Sequence, residues 1–265
     1  MENLFELAES CLVATTIAEK GAITKKAGTL SQSGQLDFND DQIPPDSIVK
    51  VRFPEQPVLI NPRELPRRTL ATQDGRIALL HAIAHIEFTA ILLAWDIIYR
   101  FRSLPIEFYK DWLKVASEEF LHFSMVRERL KDYELDYGDL PAHDGLWEVA
   151  VDSSHDVLVR LAIVPRCMEA RGLDVTPAMI DKLIQHGDIP SAKVLTRILR
   201  DEVGHVEIGS RWFKTLCEKR KVDSEDTYFQ MIDQYLRTKV RGPFNLELRR
   251  AAGFSEAELE RLQRL

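Results

Sequence analysis

The chain has 265 residues, 45% of them hydrophobic and 29% charged, which suits one large or two small globular domains with a well-buried core. A formal net charge of −7 argues against a protein that grips nucleic acid over a broad surface, because neutralising phosphates takes an excess of lysine and arginine. The three cysteines, Cys11, Cys167 and Cys217, form no Cys-x-x-Cys pair, so they indicate neither a disulfide framework nor a thiolate metal site. A reducing, cytosolic location is the simplest expectation. The start, Met-Glu-Asn-Leu-Phe-Glu-Leu, is acidic and amphipathic and does not resemble a signal peptide. The most apolar stretch, Ile77 to Tyr99, contains His81, His85, Glu87 and Asp96, so no lipid-facing span is expected.

In chain order, Leu4, Leu7, Cys11 and Ala14 or Thr15 predict a helix from Asn3 to about Lys20. Residues 21–36 are small and polar and read as a weak helix. Between 37 and 69, Pro44, Pro45, Pro54, Pro57, Pro62 and Pro66 forbid a long helix. Apolar Ile48, Val51, Phe53, Val58, Leu59 and Ile60 sit among them, which suggests an arm wrapped on a core. Strong helical periodicity then covers about 70–101 and about 105–134, with Pro105 near the first turn of the second helix. A loop follows at 136–145. The next helix spans about 154–171, with a kink expected at Pro165 and an end at Gly172. Thr176-Pro177 should open a short helix to about Gln185, followed by helices over about 190–220 and 224–238. Gly242-Pro243 breaks the chain, and Ser255-x-x-Glu258 is a capping box for a last short helix. No strand pattern stands out. The expected class is all-α, with an antiparallel four-helix bundle over 70–221. Residues 1–69 would pack on that bundle and 222–265 would extend it, giving one compact domain.

One pattern occurs twice. Glu87 is followed 32 residues later by Glu119-Phe120-Leu121-His122, and Glu169 is followed 33 residues later by Glu202-Val203-Gly204-His205. A lone Glu from each of two helices, with a Glu-x-x-His from each of the other two, is the ligand set of a dimetal centre in a helical bundle. Residues three apart share a helix face, so each pair can offer one oxygen and one nitrogen to a metal.

The facing of these residues agrees. Glu87 lies among Leu80, Ile83, Ala84, Ile91 and Ala94, and Glu119 and His122 lie among Trp112, Val115, Val126 and Leu130. Glu169 continues Leu158, Leu161, Ala162 and Pro165, and Glu202 and His205 interrupt Leu195, Ile198, Leu199, Val206 and Phe213. Buried carboxylates are costly unless something compensates them, and a dication compensates several at once. Depth agrees as well in the first hairpin. Glu87 is 16 residues before Ser103 and Glu119 is 16 after it. At a rise of about 1.5 Å per residue, both lie roughly 24 Å from the turn. In the second hairpin, Glu169 and Glu202 match in depth only if the 177–185 helix continues the direction of the one before it.

At these residues the sequence resembles the ferritin-like superfamily, whose di-iron carboxylate members include rubrerythrin, manganese catalase, ribonucleotide reductase small subunits and a tRNA-modifying monooxygenase. The strings His81-Ala-Ile-Ala-His85-Ile-Glu87, Val164-Pro-Arg-Cys-Met-Glu169-Ala-Arg-Gly172-Leu-Asp174 and Arg200-Asp-Glu202-Val-Gly-His205 resemble a bacterial ferritin-like family of unknown function. Pro243-Phe-Asn245 and Ala251-Ala-Gly-Phe-Ser255 carry the same resemblance. It implies Glu87, Glu119, His122, Glu169, Glu202 and His205 as ligands of two iron or manganese ions. The implied activity is an oxidoreductase that activates O2 or peroxide on a substrate the sequence does not name. Without a rubredoxin-like Cys-x-x-Cys, the electron donor would be a separate protein, and a homodimer is the expected assembly. Metal storage, a metal-free structural module and tRNA hydroxylation are the other readings. The negative net charge weakens the last.

Other polar residues have plainer explanations. Glu118 is about 100° round the helix from Glu119 and should be solvated. His81 and His85 read as hydrogen-bonded packing residues, and His143, His155 and His186 as exposed. Asp201 is either a surface group or one that orients a ligating imidazole. Gly204 and Gly209 suggest close helix packing. Arg237, Lys239, Arg241, Arg249 and Arg250 form the best basic patch and read as a solvated face.

Overall fold

The computed structural model describes residues 1–39, 51, 53–65, 69–236 and 240–265. Among them sheet is limited to two-residue strands β1 (Glu2–Asn3) and β2 (Leu36–Asp37), paired in parallel, and one bridge between Leu59 and Ala142. The class is all-α. Contacts divide the chain into two compact units, Met1–Asp144 and Gly145–Leu265.

The first unit begins with α1 (Leu4–Val13). Its cap, Asn3, accepts from the Phe5 and Glu6 amides. The single helix expected to Lys20 stops at Ala14, and Thr16 with Glu19 forms a capping box that starts α2 (Ile17–Gln32). The Thr-x-x-Glu signal was present in the sequence, and its two reciprocal bonds restart the helix in a new direction. Continuing to Gln32, α2 takes in most of the small, polar stretch.

The last carbonyls of α1 are met by Lys20, whose buried ammonium donates to Cys11 O at 2.7 Å and Leu12 O at 3.3 Å. Burial lowers its pKa from 10.5 to about 8. Between those values the unfolded chain holds the proton and the folded chain does not, so this group raises the unfolding free energy as pH rises. Cys11, whose thiol is pushed up by burial to about 11, opposes it. The clean comparison is therefore wild type against Lys20→Met. Their difference in unfolding free energy should move toward wild type by on the order of 3 kcal/mol from pH 8 to 10.5. Parallel urea curves with a pH-independent difference would contradict it.

Two long helices, α3 (Gln73–Arg100) and α4 (Ile106–Lys131), form the unit's central hairpin, with α1 packed on α3 and α2 on α4. Thr72 caps α3 by accepting from the Gly75 amide. The turn carries Ser103 in the left-handed region, at φ 59°, as its placement in the sequence suggested. Tyr109 ties it shut by donating to Phe101 O and accepting from the Leu104 amide. Helix α3 is long and apolar enough to cross a membrane, but 72% of its most apolar window is buried within the protein. It is a core helix that also buries Asp96, held by the Arg100 guanidinium at 2.6 Å. Of the proline-rich segment, residues 40–50, 52 and 66–68 lie outside the described residues. The rest packs on this unit: Val58 and Ile60 exchange backbone bonds with Ala142, and the Phe53 ring lies 6.4 Å from Phe88.

The second unit opens with α5 (Gly145–Asp152), a helix the loop-like composition concealed, and α6 (Val157–Ile163). Asp156 caps α6 through the Leu158 amide and holds Arg220 of the unit's longest helix at 2.6 and 2.7 Å. After α6 comes a π-helical segment, Val164–Glu169, which runs straight into α7 (Ala170–Gln185). Pro165 lacks an N–H and does disturb the ladder, but the result is a wider turn. The expected ends at Gly172 and Thr176 do not occur. Pro177 lies inside α7, whose buried Ala170, Leu173 and Leu183 carry the helix through it. Packing of one apolar face outweighs local propensity.

The partner in this hairpin is α8 (Ile189–Arg220), capped by Asp188 and closed by Lys221 in the left-handed region. A Cβ on Gly209 would stand 2.5 Å from Pro165 Cβ and 2.6 Å from its Cγ, so close approach requires glycine there. Gly209→Ala should lower stability by about 1–2 kcal/mol, with overpacking exceeding the gain in helix propensity. An unchanged or raised urea midpoint would contradict this.

The unit ends with α9 (Ser224–Tyr235), α10 (Leu246–Ala251) and α11 (Glu256–Gln263). The Ser255–Glu258 capping box of α11 is present as expected. The basic patch divides: Arg241 and Arg250 are exposed, with Arg250 paired to Glu256, Arg249 is buried on Asp174 at 2.7 Å, and residues 237–239 lie outside the described residues.

Candidate metal centre

In the first unit the α3–α4 hairpin brings Glu87, Glu119 and His122 together. All three are buried, at 5%, 1% and 0% exposure. His122 Nδ1 lies 3.3 Å from a Glu87 carboxylate oxygen and 3.6 Å from one of Glu119. The ligand atoms of the three side chains fall within 4.8 Å of one another. Equal distance from the Ser103 turn along two antiparallel helices puts Glu87 opposite Glu119, and the three-residue step puts His122 on the same face. Burial disfavours a charged imidazole at His122. The hydrogen bonds and charges of Glu119 and Glu87 more than offset that and raise its pKa to about 11. Two acids and one base thus meet at a buried position.

The second unit repeats part of this. On α8, His205 is buried and its Nδ1 lies 3.3 Å from a Glu202 oxygen. Glu169 is the last residue of the π-helical segment and is partly exposed, with one carboxylate oxygen fully buried. The continuity of α7 removes the chain break that had left its depth uncertain.

These groups suit a hard or borderline cation. Each half supplies carboxylate oxygens and an imidazole nitrogen, the donors preferred by iron and manganese. Thiolates are absent from the set. Cys11, Cys167 and Cys217 are all buried, and burial pushes each thiol up to about 11.

The neighbouring histidines are committed elsewhere. His81 Nε2 accepts from the Gly138 and Leu140 amides. The His143 carbonyl only accepts, so His85 Nε2 carries the proton and its Nδ1 takes the Tyr137 hydroxyl at 2.9 Å. Burial lowers the pKa of both, that of His85 to about 4. They are the packing residues expected, and His143, His155 and His186 are exposed as expected. Asp201 accepts from Arg197 and Arg200, and Glu118 lies 3.9 Å from Lys114. The glycines divide: Gly209 is the close-packing site expected, whereas a Cβ on Gly204 would meet open space.

Sequence reasoning missed two buried ion pairs. Arg166, three residues before Glu169, bonds Glu258 at 2.6 Å, and both are at most 1% exposed. Arg249 forks onto Asp174 at 2.7 and 2.9 Å. No local pattern announces a pair 92 residues apart. The available signal was two arginines, Arg160 and Arg166, inside the apolar run 157–167.

A family model, described as protein of unknown function (DUF455), matches residues 13–260. The chain belongs to the DUF455 family. An uncharacterized protein of Haemophilus influenzae is 45% identical to this DUF455 chain over 225 residues, covering 82% of this chain and 77% of that one. No solved structure matches. The family match spans all six candidate ligands. Its description speaks of neither a metal nor a ferritin-like fold.

Proposed function

We propose that this DUF455 protein is a ferritin-like dimetal oxidoreductase. Glu87, Glu119 and His122, with Glu169, Glu202 and His205, would hold two iron or manganese ions. The observation that carries this reading is the burial of Glu87, Glu119 and His122 around one small volume, repeated in part by Glu202 and His205. Buried carboxylates are costly to hold in an apolar interior, and a dication shared among them would offset that cost for several at once.

When bound, the metals would supply redox chemistry and a Lewis-acidic position for O2 or peroxide. The carboxylates would neutralise the cations' charge. Each imidazole would offer the Nδ1 that now faces a carboxylate, once that nitrogen has given up its proton. The burial of Glu87, Glu119 and His122 would keep bulk water from that part of the site. Open space at Gly204, between Glu202 and His205 in sequence, supports access for a small oxidant. Reducing equivalents would come from a separate protein.

Protein produced with iron or manganese supplied should carry two metal ions per chain. The iron form should change its absorption when cycled between dithionite and air. Full metal without a spectral change would point to storage instead. No metal would leave a structural module.

A further inference from the structure

A π-turn holds one residue more than an α-turn, is rare, and rotates every side chain that follows it. The segment Val164–Glu169 is such a turn, with the Ala170 amide reaching back to Pro165 O. It ends on Glu169, so whatever fixes this turn also fixes the direction of that carboxylate. The restraints come from later in the same unit. The Tyr228 hydroxyl on α9 donates to Arg166 O at 3.0 Å. The Arg166 side chain donates to Glu258 on α11 at 2.6 Å and to Ser210 on α8 at 3.3 Å. Its guanidinium lies over the rings of Phe213, Tyr228 and Phe254 at 4.3–4.8 Å. Glu258 has two tasks, because its other oxygen accepts the Ser255 amide as part of the α11 cap. Without these contacts, a helix carrying proline at its second π position has no evident reason to keep this register.

We propose that Tyr228 and Glu258 are positioning residues for Glu169: the carboxy-terminal helices clamp the π-helical segment and so set the aim of that carboxylate toward a metal. This rests on the dimetal reading above. Two mild variants test it. Tyr228→Phe removes one hydroxyl, and Glu258→Gln keeps the cap, because glutamine serves equally at the third position of a capping box. Ile232→Val, a conservative buried change on α9, is the control. Mn(II) titration by calorimetry is paired with hydrogen exchange of the 166–171 amides.

Both variants should weaken Mn(II) binding at one of two sites by about 10- to 100-fold, the usual effect of losing a group that orients a ligand. Exchange across 166–171 should rise in the same variants, and the control should bind within about twofold of wild type. Unchanged affinity in Tyr228→Phe and Glu258→Gln would overturn the positioning role alone. Weaker binding without faster exchange would overturn the route through the π-helix. A wild-type chain that takes up no Mn(II) would overturn both this role and the dimetal reading.

Discussion

Arg166→Ala is expected to destabilise the second unit by about 3–5 kcal/mol, the range for breaking a buried ion pair by removing one partner. The guanidinium is fully buried, bonds Glu258 at 2.6 Å, and fills the space between three aromatic rings. Its removal leaves a carboxylate at 1% exposure with no compensating arginine, and it empties a ring-lined space. Each lost stacking contact adds about 0.5–2 kcal/mol. A paired replacement separates the charge from the packing. Arg166→Met with Glu258→Gln, which keeps the α11 cap, should recover part of the loss, since no buried charge is then left without its partner. Urea denaturation followed by far-UV circular dichroism measures both. A single variant that loses less than about 1 kcal/mol would show that the pair is not the fastener described here.

Glu119→Ala should abolish stabilisation by metal while costing the metal-free protein no more than about 1–2 kcal/mol. In the metal-free state Glu87 and Glu119 crowd the same imidazole at 3.3 and 3.6 Å. Removing one carboxylate loses its attraction to His122 but relieves repulsion between two buried acids, and His122 keeps Glu87. With metal at about 100 times its dissociation constant, wild type gains about 2.7 kcal/mol, which a variant lacking a ligand should not. Glu118→Ala, the same chemistry one residue earlier and 27% exposed, is the matched control and should keep the full metal-induced rise in Tm. If Glu119→Ala instead destabilised the metal-free protein by several kcal/mol, the cluster would be a structural polar network and not a cation site.

The long helices and the first half of the site were legible because they rest on local rules. An apolar stripe with one acid inside it places Glu87 on the buried face of α3, and a three-residue step binds His122 to Glu119. The symmetric spacing about Ser103 then brings the helices into register. Legibility failed where tertiary contacts overrule local signals. Gly172 reads as a helix end and Thr176-Pro177 as a helix start, yet α7 runs through them because its apolar face is packed on α8. Pro165 correctly signalled a disturbance. Whether it would kink the helix or widen it depended on Gly209 and Arg166 meeting partners from distant sequence. Thr16-x-x-Glu19 is a different failure, since the signal was local and was passed over in favour of a continuous stripe. Arg249 looked like part of a basic surface because its partner, Asp174, is 75 residues away.

The central claim is that cations sit among these carboxylates and imidazoles. Anomalous diffraction from crystals of iron- or manganese-loaded protein, collected on either side of the metal's absorption edge, tests it most directly. Two peaks about 3.5–4 Å apart, bounded by Glu87, Glu119, His122, Glu169, Glu202 and His205, are the predicted result. Loaded crystals with no anomalous peak at these residues, or with metal only on the outer surface, would contradict it.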